Sequence, residues 1–398
     1  MKTNVILQAP IYSSSGYGAH GRQILLDLYR SGKFNISVIP TGWGGTSIVD
    51  NFTTEESGIF SYCVTNKIES PDFVWIQLGV PTEFKRAGKI NIGVTAGIES
   101  FQLPDKWADH CNNMDAVIVP SEFVRQLFIA NGVKTPVMVV GEGVDISVFN
   151  PTVESKLDLQ MDTKFNFLST GQWLQGCPPG EDRKQIGLLV KTFVETFRGQ
   201  KDIGLVLKTH SINSSSPDYV LTRDRIRQIK GDSKYPRIYL LHGIMDEPEL
   251  AQLYTHKDIH AYVTMTSGEA WHRGLSEAVA SDMPVLATGW SGHMDYLNPS
   301  LVTLFEYDVV DVPASMFNPG LYQPGMKWVV PKVDDVKRKL RRCFEGYTVA
   351  KERAVKMGEL FRSQWSNVVT GEKFVQTVTA IITNATSSNP IIPVGEIL

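Results

Sequence analysis

The sequence predicts an α/β chain of two doubly wound, Rossmann-like domains facing one central cleft. Short apolar runs alternate with helical patterns along most of the chain, which is how parallel βαβ units read. The alternation breaks once, at Asn150-Pro151, where the polar stretch 152–163 reads as a linker, and then resumes. The length, 398 residues, suits two or more cores.

In the first half, the apolar runs at 5–9, 36–40, 73–78, 90–96, 116–119 and 137–140 predict six strands. A helix is expected over 121–130, with Ser121 as its N-cap and Asn131-Gly132 as its stop. In the second half, strands are expected at 165–169, 203–208, 238–241, 259–263 and 285–287, with helices at 184–197 and 247–254 among those between them. Residues 333–382 read as strongly helical, and 386–398, with two prolines, as an extended tail. The domains are therefore set at 1–155 and 160–365, with a helix at about 366–385 returning to the first.

Hydrophobic residues are 42%, charged residues 20%, and the net charge is −3, so there is no global basic signature of a nucleic-acid binder. The four cysteines are scattered without a CxxC pair, which indicates neither a zinc site nor a disulfide framework. No stretch reaches the ~20 apolar residues of a membrane span, and a cytoplasmic protein is expected. No GxxxxGK[ST] loop, G-x-S-x-G elbow or D-x-D pair is present.

Several residues carry chemistry. Glu269 and Glu277 flank the start of an expected helix, Glu269 in the preceding loop and Glu277 in its first turn. A loop carboxylate accepts sugar hydroxyls while a helix N-terminus holds a phosphate, a combination that suits a nucleotide-sugar. Gly16-Tyr17-Gly18-Ala19-His20-Gly21 follows the first strand and matches G-x-G-x-x-G. Its lead-in is long and no acid ends the second strand, so it reads better as a glycine loop letting backbone approach a donor phosphate. Arg183-Lys184, expected at a helix start, and Lys208, at a strand end, share one sheet edge and could neutralise a diphosphate. His256 and His260 lack the HExxH glutamate and read as structural.

Taken in order, these residues resemble the retaining nucleotide-sugar glycosyltransferases of the GT-B fold, glycosyltransferase family 4 in particular. The E-x7-E motif is matched by Glu269 and Glu277. Pro120-Ser121-Glu122-Phe123-Val124 and Gly141-Glu142-Gly143-Val144-Asp145 look like the end of that family's first domain. Gly171-Gln172-Trp173 with Arg183-Lys184 looks like its donor-phosphate segment, and Trp365 like the tryptophan before its crossover helix. The resemblance implies that Glu269 contacts donor sugar hydroxyls and Glu277 the ribose. It implies that Lys184 meets the diphosphate, capped by backbone N–H groups of Gly274, Leu275 and Ser276 and approached by Gly16 and Gly18. Three departures stand out: Gln172 where the family has arginine, an insertion at 174–182, and Glu99 where many members carry a histidine facing the anomeric carbon. Arg183 or Lys208 could supply the missing charge, and His272 could also reach the sugar.

The expectation is a glycosyltransferase, metal-independent and without a cofactor, using a UDP- or GDP-hexose as co-substrate. A glycan or glycolipid acceptor comes first. A DNA base or other small acceptor, a sugar-nucleotide epimerase, and a non-catalytic nucleotide-sugar-binding protein remain alternatives.

Overall fold

The computed structural model describes residues 2–173, 178–211 and 214–386. The first half runs β1 (Thr3–Ala9), α1 (Gly16–Arg30), β2 (Phe34–Pro40), α2 (Thr54–Thr65), β3 (Val74–Leu78), β4 (Ile90–Val94), α3 (Trp107–Asn112), β5 (Ala116–Val119), α4 (Glu122–Ala130) and β6 (Val137–Val139). The second runs β7 (Phe165–Gln172), α5 (Ile186–Thr196), β8 (Ile203–His210), α6 (Ser216–Lys230), β9 (Arg237–Leu241), α7 (Glu247–Tyr254), β10 (Ala261–Val263), α8 (Arg273–Ala280), β11 (Val285–Thr288) and β12 (Thr303–Phe305). A hairpin, β13 (Tyr307–Asp311) with β14 (Lys327–Pro331), and the helices α9 (Val333–Glu345), α10 (Tyr347–Trp365) and α11 (Asn367–Thr386) follow.

Each half is a six-stranded parallel sheet, ordered β2-β1-β3-β4-β5-β6 and β12-β11-β10-β7-β8-β9. Strand order reverses between β1 and β3 and between β7 and β10. Ligands of open parallel sheets bind outside the carboxyl ends of the strands at such points. The central strands β3, β4 and β5 are buried along their whole length, as sheets covered on both faces require.

All the expected strands form, some with shifted ends: β7 and β8 run on to Gln172 and His210, and β10 starts only at Ala261. Ser121 caps α4, its hydroxyl accepting from the Val124 N–H at 3.5 Å. The helical region from 333 divides into α9, α10 and α11. α11 returns to the first half, where Phe374, Val375, Val378 and Ile381 join the core beneath β1 and α1. The crossing is pinned at Val144, whose N–H donates to the Trp365 carbonyl (3.1 Å) while its own carbonyl accepts from the Asn367 N–H (2.8 Å). Beyond Thr386, the expected tail lies outside the described residues, as do residues 174–177 of the insertion.

The sequence reading missed the β13–β14 hairpin. β13 is half-exposed and carries a short mixed pattern, so no apolar run announces it. No helix among the described residues is long and apolar enough to cross a membrane. Cys63, Cys111 and Cys343 are free and buried; Cys177 lies outside the described residues.

Candidate active site

Between the two sheets lies a cleft of about 570 Å³. Its walls come from the loop after β1 and the start of α1 (Ser14 to Tyr17), the loop after β4 (Ala96, Glu99), the end of β7 and the loop after it (Gln172, Arg183, Lys184), and the loops after β9 (Gly243 to Met245) and β10 (Glu269 to His272). The first half contributes mainly hydroxyl and aromatic groups, including Trp43, which stacks on Tyr17 with ring centroids 3.8 Å apart. The second half contributes Arg183, Lys184 and Lys208.

Glu269 is the buried acid of this wall. Its Oε1 accepts from Lys184 Nζ at 2.6 Å and from the Thr266 hydroxyl at 2.8 Å, and its Oε2 lies 3.2 Å from Arg183. Burial by itself pushes the carboxyl up, but Lys184 and Arg183 outweigh it and hold Glu269 well below the usual carboxylate range. Arg183 also donates to the Gly268 carbonyl (2.7 Å) and lies 3.1 Å from Glu99 Oε1. Burial, opposed by Arg183 and reinforced by Glu269, raises Glu99. Arg183 thus sits between two carboxyl groups from opposite halves of the molecule, while Lys184 pairs with Glu269.

Several predicted residues sit differently from expectation. Arg183 and Lys184 do not begin a helix. They end the loop before α5, which starts at Ile186 after Gln185 in the left-handed region (φ 52°). Packing against Glu269 and Gly268 takes precedence there over helix propagation. Glu277 is not in the first turn of its helix: α8 starts at Arg273, so Glu277 falls in the second turn. It is buried and is not among the residues lining the cleft. The Tyr254 hydroxyl donates to it at 3.1 Å, and Arg273 Nε lies 4.0 Å away.

His272 caps α8 from the left-handed region (φ 77°). Its Nδ1 accepts from the Leu275 N–H, and its Nε2 meets the Thr264 hydroxyl, each at 3.2 Å. Burial lowers its pKa to about 3, so the ring is neutral and both nitrogens are engaged. The N–H groups of Leu275 and Ser276 also donate to the His272 carbonyl, at 3.1 Å each. Of the expected trio Gly274, Leu275 and Ser276, only Gly274 lines the cleft.

Lys208 lines the cleft with its Nζ donating to the Gly243 carbonyl. Gly16 lines it at the start of α1, which Ser15 caps by accepting from the Gly18 N–H at 3.1 Å. Gly18 serves the turn itself, since a Cβ there would fall 2.0 Å from the Ser13 carbonyl oxygen. The histidines read as structural sit away from the cleft lining: His256 Nε2 lies 3.2 Å from the Leu157 carbonyl, and His260 Nδ1 accepts from the Asn166 N–H.

Several cleft residues escaped assignment from the sequence, among them Arg273, Glu142 and His20. Arg273 pairs with Glu142 of the first half at 3.3 Å, and His20 lies 3.9 Å from the same carboxylate. Both glutamate and arginine lie in motif segments, but a pair 131 positions apart leaves no local pattern.

Glu277 offers a test independent of any ligand. Burial, partly offset by Arg273, pushes its carboxyl from 4.5 up to about 7. A raised carboxyl favours the fold while protonated, and that contribution is lost as pH rises through the folded value. Glu277→Gln is therefore expected to match wild type in Tm near pH 4.5 and exceed it above pH 7. A Tm difference that stays flat across this window would show that the Glu277 carboxyl is not raised.

No protein-family model matches the sequence, and no curated protein matches it by sequence. Solved structures do match the fold. Sucrose-phosphate synthase from Thermosynechococcus elongatus is similar over 96% of this chain and 100% of its own, at 13% identity and TM-score 0.66. A glycosyltransferase from Rickettsia africae is similar over 96% and 99%, at 14% identity and TM-score 0.62. HepE from Anabaena, solved in complex with UDP-glucose, is similar over 95% and 99%, at 11% identity and TM-score 0.62. Likeness at such identity speaks for architecture, and with two facing parallel sheets and a returning terminal helix this chain has the GT-B fold.

Proposed function

We propose that this protein is a nucleotide-sugar glycosyltransferase that moves a hexose-type sugar from a UDP- or GDP-sugar to a glycan or glycolipid acceptor, with retention of configuration. The observation that carries the reading is Glu269, a buried carboxylate kept ionised by Lys184 and Arg183 in a cleft between two parallel sheets. The complex of HepE with UDP-glucose supports the same donor class.

In this reading the donor diphosphate meets Lys184, Arg183 and Lys208, with the backbone at Gly274 and Gly16 closing on it. These cations stabilise leaving-group charge as the glycosidic bond breaks, without a metal ion. A diphosphate arriving at Lys184 and Arg183 competes with Glu269 and Glu99, which frees the carboxylates to accept sugar hydroxyls. Glu99 faces the anomeric carbon from the first half. Glu277 holds the ribose side through Arg273 and Tyr254, and His272 positions α8 rather than touching sugar. The hydroxyl and aromatic wall with Trp43 receives the acceptor, and closure around both substrates excludes water.

The test is a thermal-shift panel of UDP, GDP, ADP and CMP with their sugar conjugates, in EDTA. One diphosphate is expected to raise Tm, and a Tm unmoved by every nucleotide would remove the donor site from the reading. Glu277→Ala is expected to weaken that nucleotide about tenfold, the effect of losing one good polar contact of ~1.4 kcal/mol. Equal affinity in wild type and variant would sink the ribose role of Glu277.

A further inference from the structure

We propose that Tyr322, carried across the cleft on the β13–β14 hairpin, is a positioning residue for Glu99, setting its carboxylate only when the two halves are latched together. The proposal rests on the reading above that Glu99 faces the donor sugar.

The hairpin belongs to the second half by chain order. β13 follows β12 directly, and the Lys332 N–H returns to the Glu306 carbonyl at 2.8 Å. Its buried apolar side chains nevertheless pack on the first half. Val312, Tyr322, Met326 and Trp328 pack in one cluster with Ile98, Trp107, Val124 and Phe128. Main-chain groups fasten the same crossing. The Ser100 hydroxyl and the Phe101 N–H both donate to the Lys327 carbonyl, at 2.8 and 3.1 Å. The Lys327 N–H donates to Gln102 Oε1 at 3.0 Å, and the Asp105 N–H to Gln323 Oε1 at 3.3 Å.

A second contact closes the same edge. Trp290, after β11, sits with its ring 5.0 Å from Phe101 and 4.8 Å from Phe123 of the first half. Gly268 permits this approach, because a Cβ there would lie 2.7 Å from Trp290 and 2.8 Å from the Glu99 Cβ.

Glu99 lies between these fastenings. The Tyr322 hydroxyl donates to its Oε2 at 3.2 Å, while Arg183 holds its Oε1. Tyr322 is buried, its ring edge-on to Trp328 at 5.6 Å. A buried phenol usually finds a polar partner; this one finds the carboxylate at the cleft wall. Both oxygens of Glu99, a residue of the first half, are therefore held by groups of the second. Opening the latch would remove both at once, so closure and the placing of this carboxylate become a single event.

The charged and titratable groups facing Glu99 are Arg183, Glu269, Lys184 and Tyr322 from the second half and Tyr17 from the first. A phenol donating to a carboxylate favours its ionised form. Tyr322→Phe keeps the ring and removes only that bond, so Glu99 should ionise at higher pH.

The experiment compares wild type with Tyr322→Phe, Glu99→Gln and the double variant in the full chain. Nucleoside diphosphate affinity is measured by calorimetry, and nucleotide release from the donor sugar across pH. Expected for Tyr322→Phe is unchanged diphosphate affinity, roughly a tenfold lower kcat, an acid limb moved to higher pH, and no further loss when Glu99 is already glutamine. A wild-type kcat and pH profile in Tyr322→Phe, or an equal loss in the Glu99→Gln background, would overturn the proposal. Ionisation of Glu99, followed by carboxyl-¹³C NMR in the ligand-free protein and assigned with Glu99→Gln, decides the contact even if no donor is turned over. An upward move in Tyr322→Phe supports the positioning role, and no move overturns it. Failure of wild type to bind or turn over any donor would instead count against the transferase reading.

Discussion

Glu269→Gln is expected to lower sugar transfer by about a hundredfold to a thousandfold, the scale on which single preorganised polar groups act in enzyme sites. The amide keeps the volume and one acceptor oxygen but cannot carry the charge that Lys184 and Arg183 hold in place. Nucleoside diphosphate affinity should hold or rise, because both cations lose a competing carboxylate. The loss would then sit in kcat rather than in donor binding, as for a group acting mainly in the transition state. Donor breakdown to water, measured as nucleotide release without acceptor, gives a rate before the acceptor is identified. A variant with wild-type turnover and weaker diphosphate binding would recast Glu269 as a charge-balancing residue only.

Gly292→Ala should be the most damaging small substitution near the site. A Cβ at Gly292 would lie 1.8 Å from the Ala270 carbonyl oxygen, 2.5 Å from its carbonyl carbon and 2.7 Å from Ser121 Oγ. The Gly292 N–H donates to the Glu269 carbonyl at 2.8 Å, so the extra methyl pushes on the loop that carries the acid. Overpacking of this kind costs about 1–3 kcal/mol, and backbone gives less readily than the end of a side chain. Expected are a Tm lower by several degrees and a large loss of turnover together. Gly58→Ala in α2, away from the cleft lining, is the control, since nothing lies within 4 Å of a Cβ there. A Gly292→Ala protein with unchanged Tm would mean that the loop 268–272 yields freely, and the rigid placement of Glu269 would have to be abandoned.

Most of the frame was legible in the sequence. Strand runs, the Ser121 cap, the glycine opening of α1 and the break near Asn150 are all local signals. Their physics acts between residues a few positions apart. The cluster of Glu269 with Arg183 and Lys184 was foreseeable in membership, because parallel strands bring their following loops to one edge.

Other parts were decided at long range. Lys184 and Arg183 lie 85 positions from their partners at 269 and 268, and Glu99 lies 223 positions from Tyr322. Only the docking of two cores brings such groups within hydrogen-bond reach. The hairpin latch went unread because those of its apolar residues that are buried pack on the other half rather than on their own sheet. Glu277 was placed too near its helix start because nothing in sequence shows that His272 caps the helix from a left-handed backbone. By itself, then, the sequence determined the two parallel sheets and the residues at their carboxyl edges, because pattern and turn chemistry are local. The tertiary structure alone decided which carboxylate meets which cation, and that a hairpin from one half closes over the acid of the other. Those pairings depend on how the two cores dock, and no local pattern carries that information.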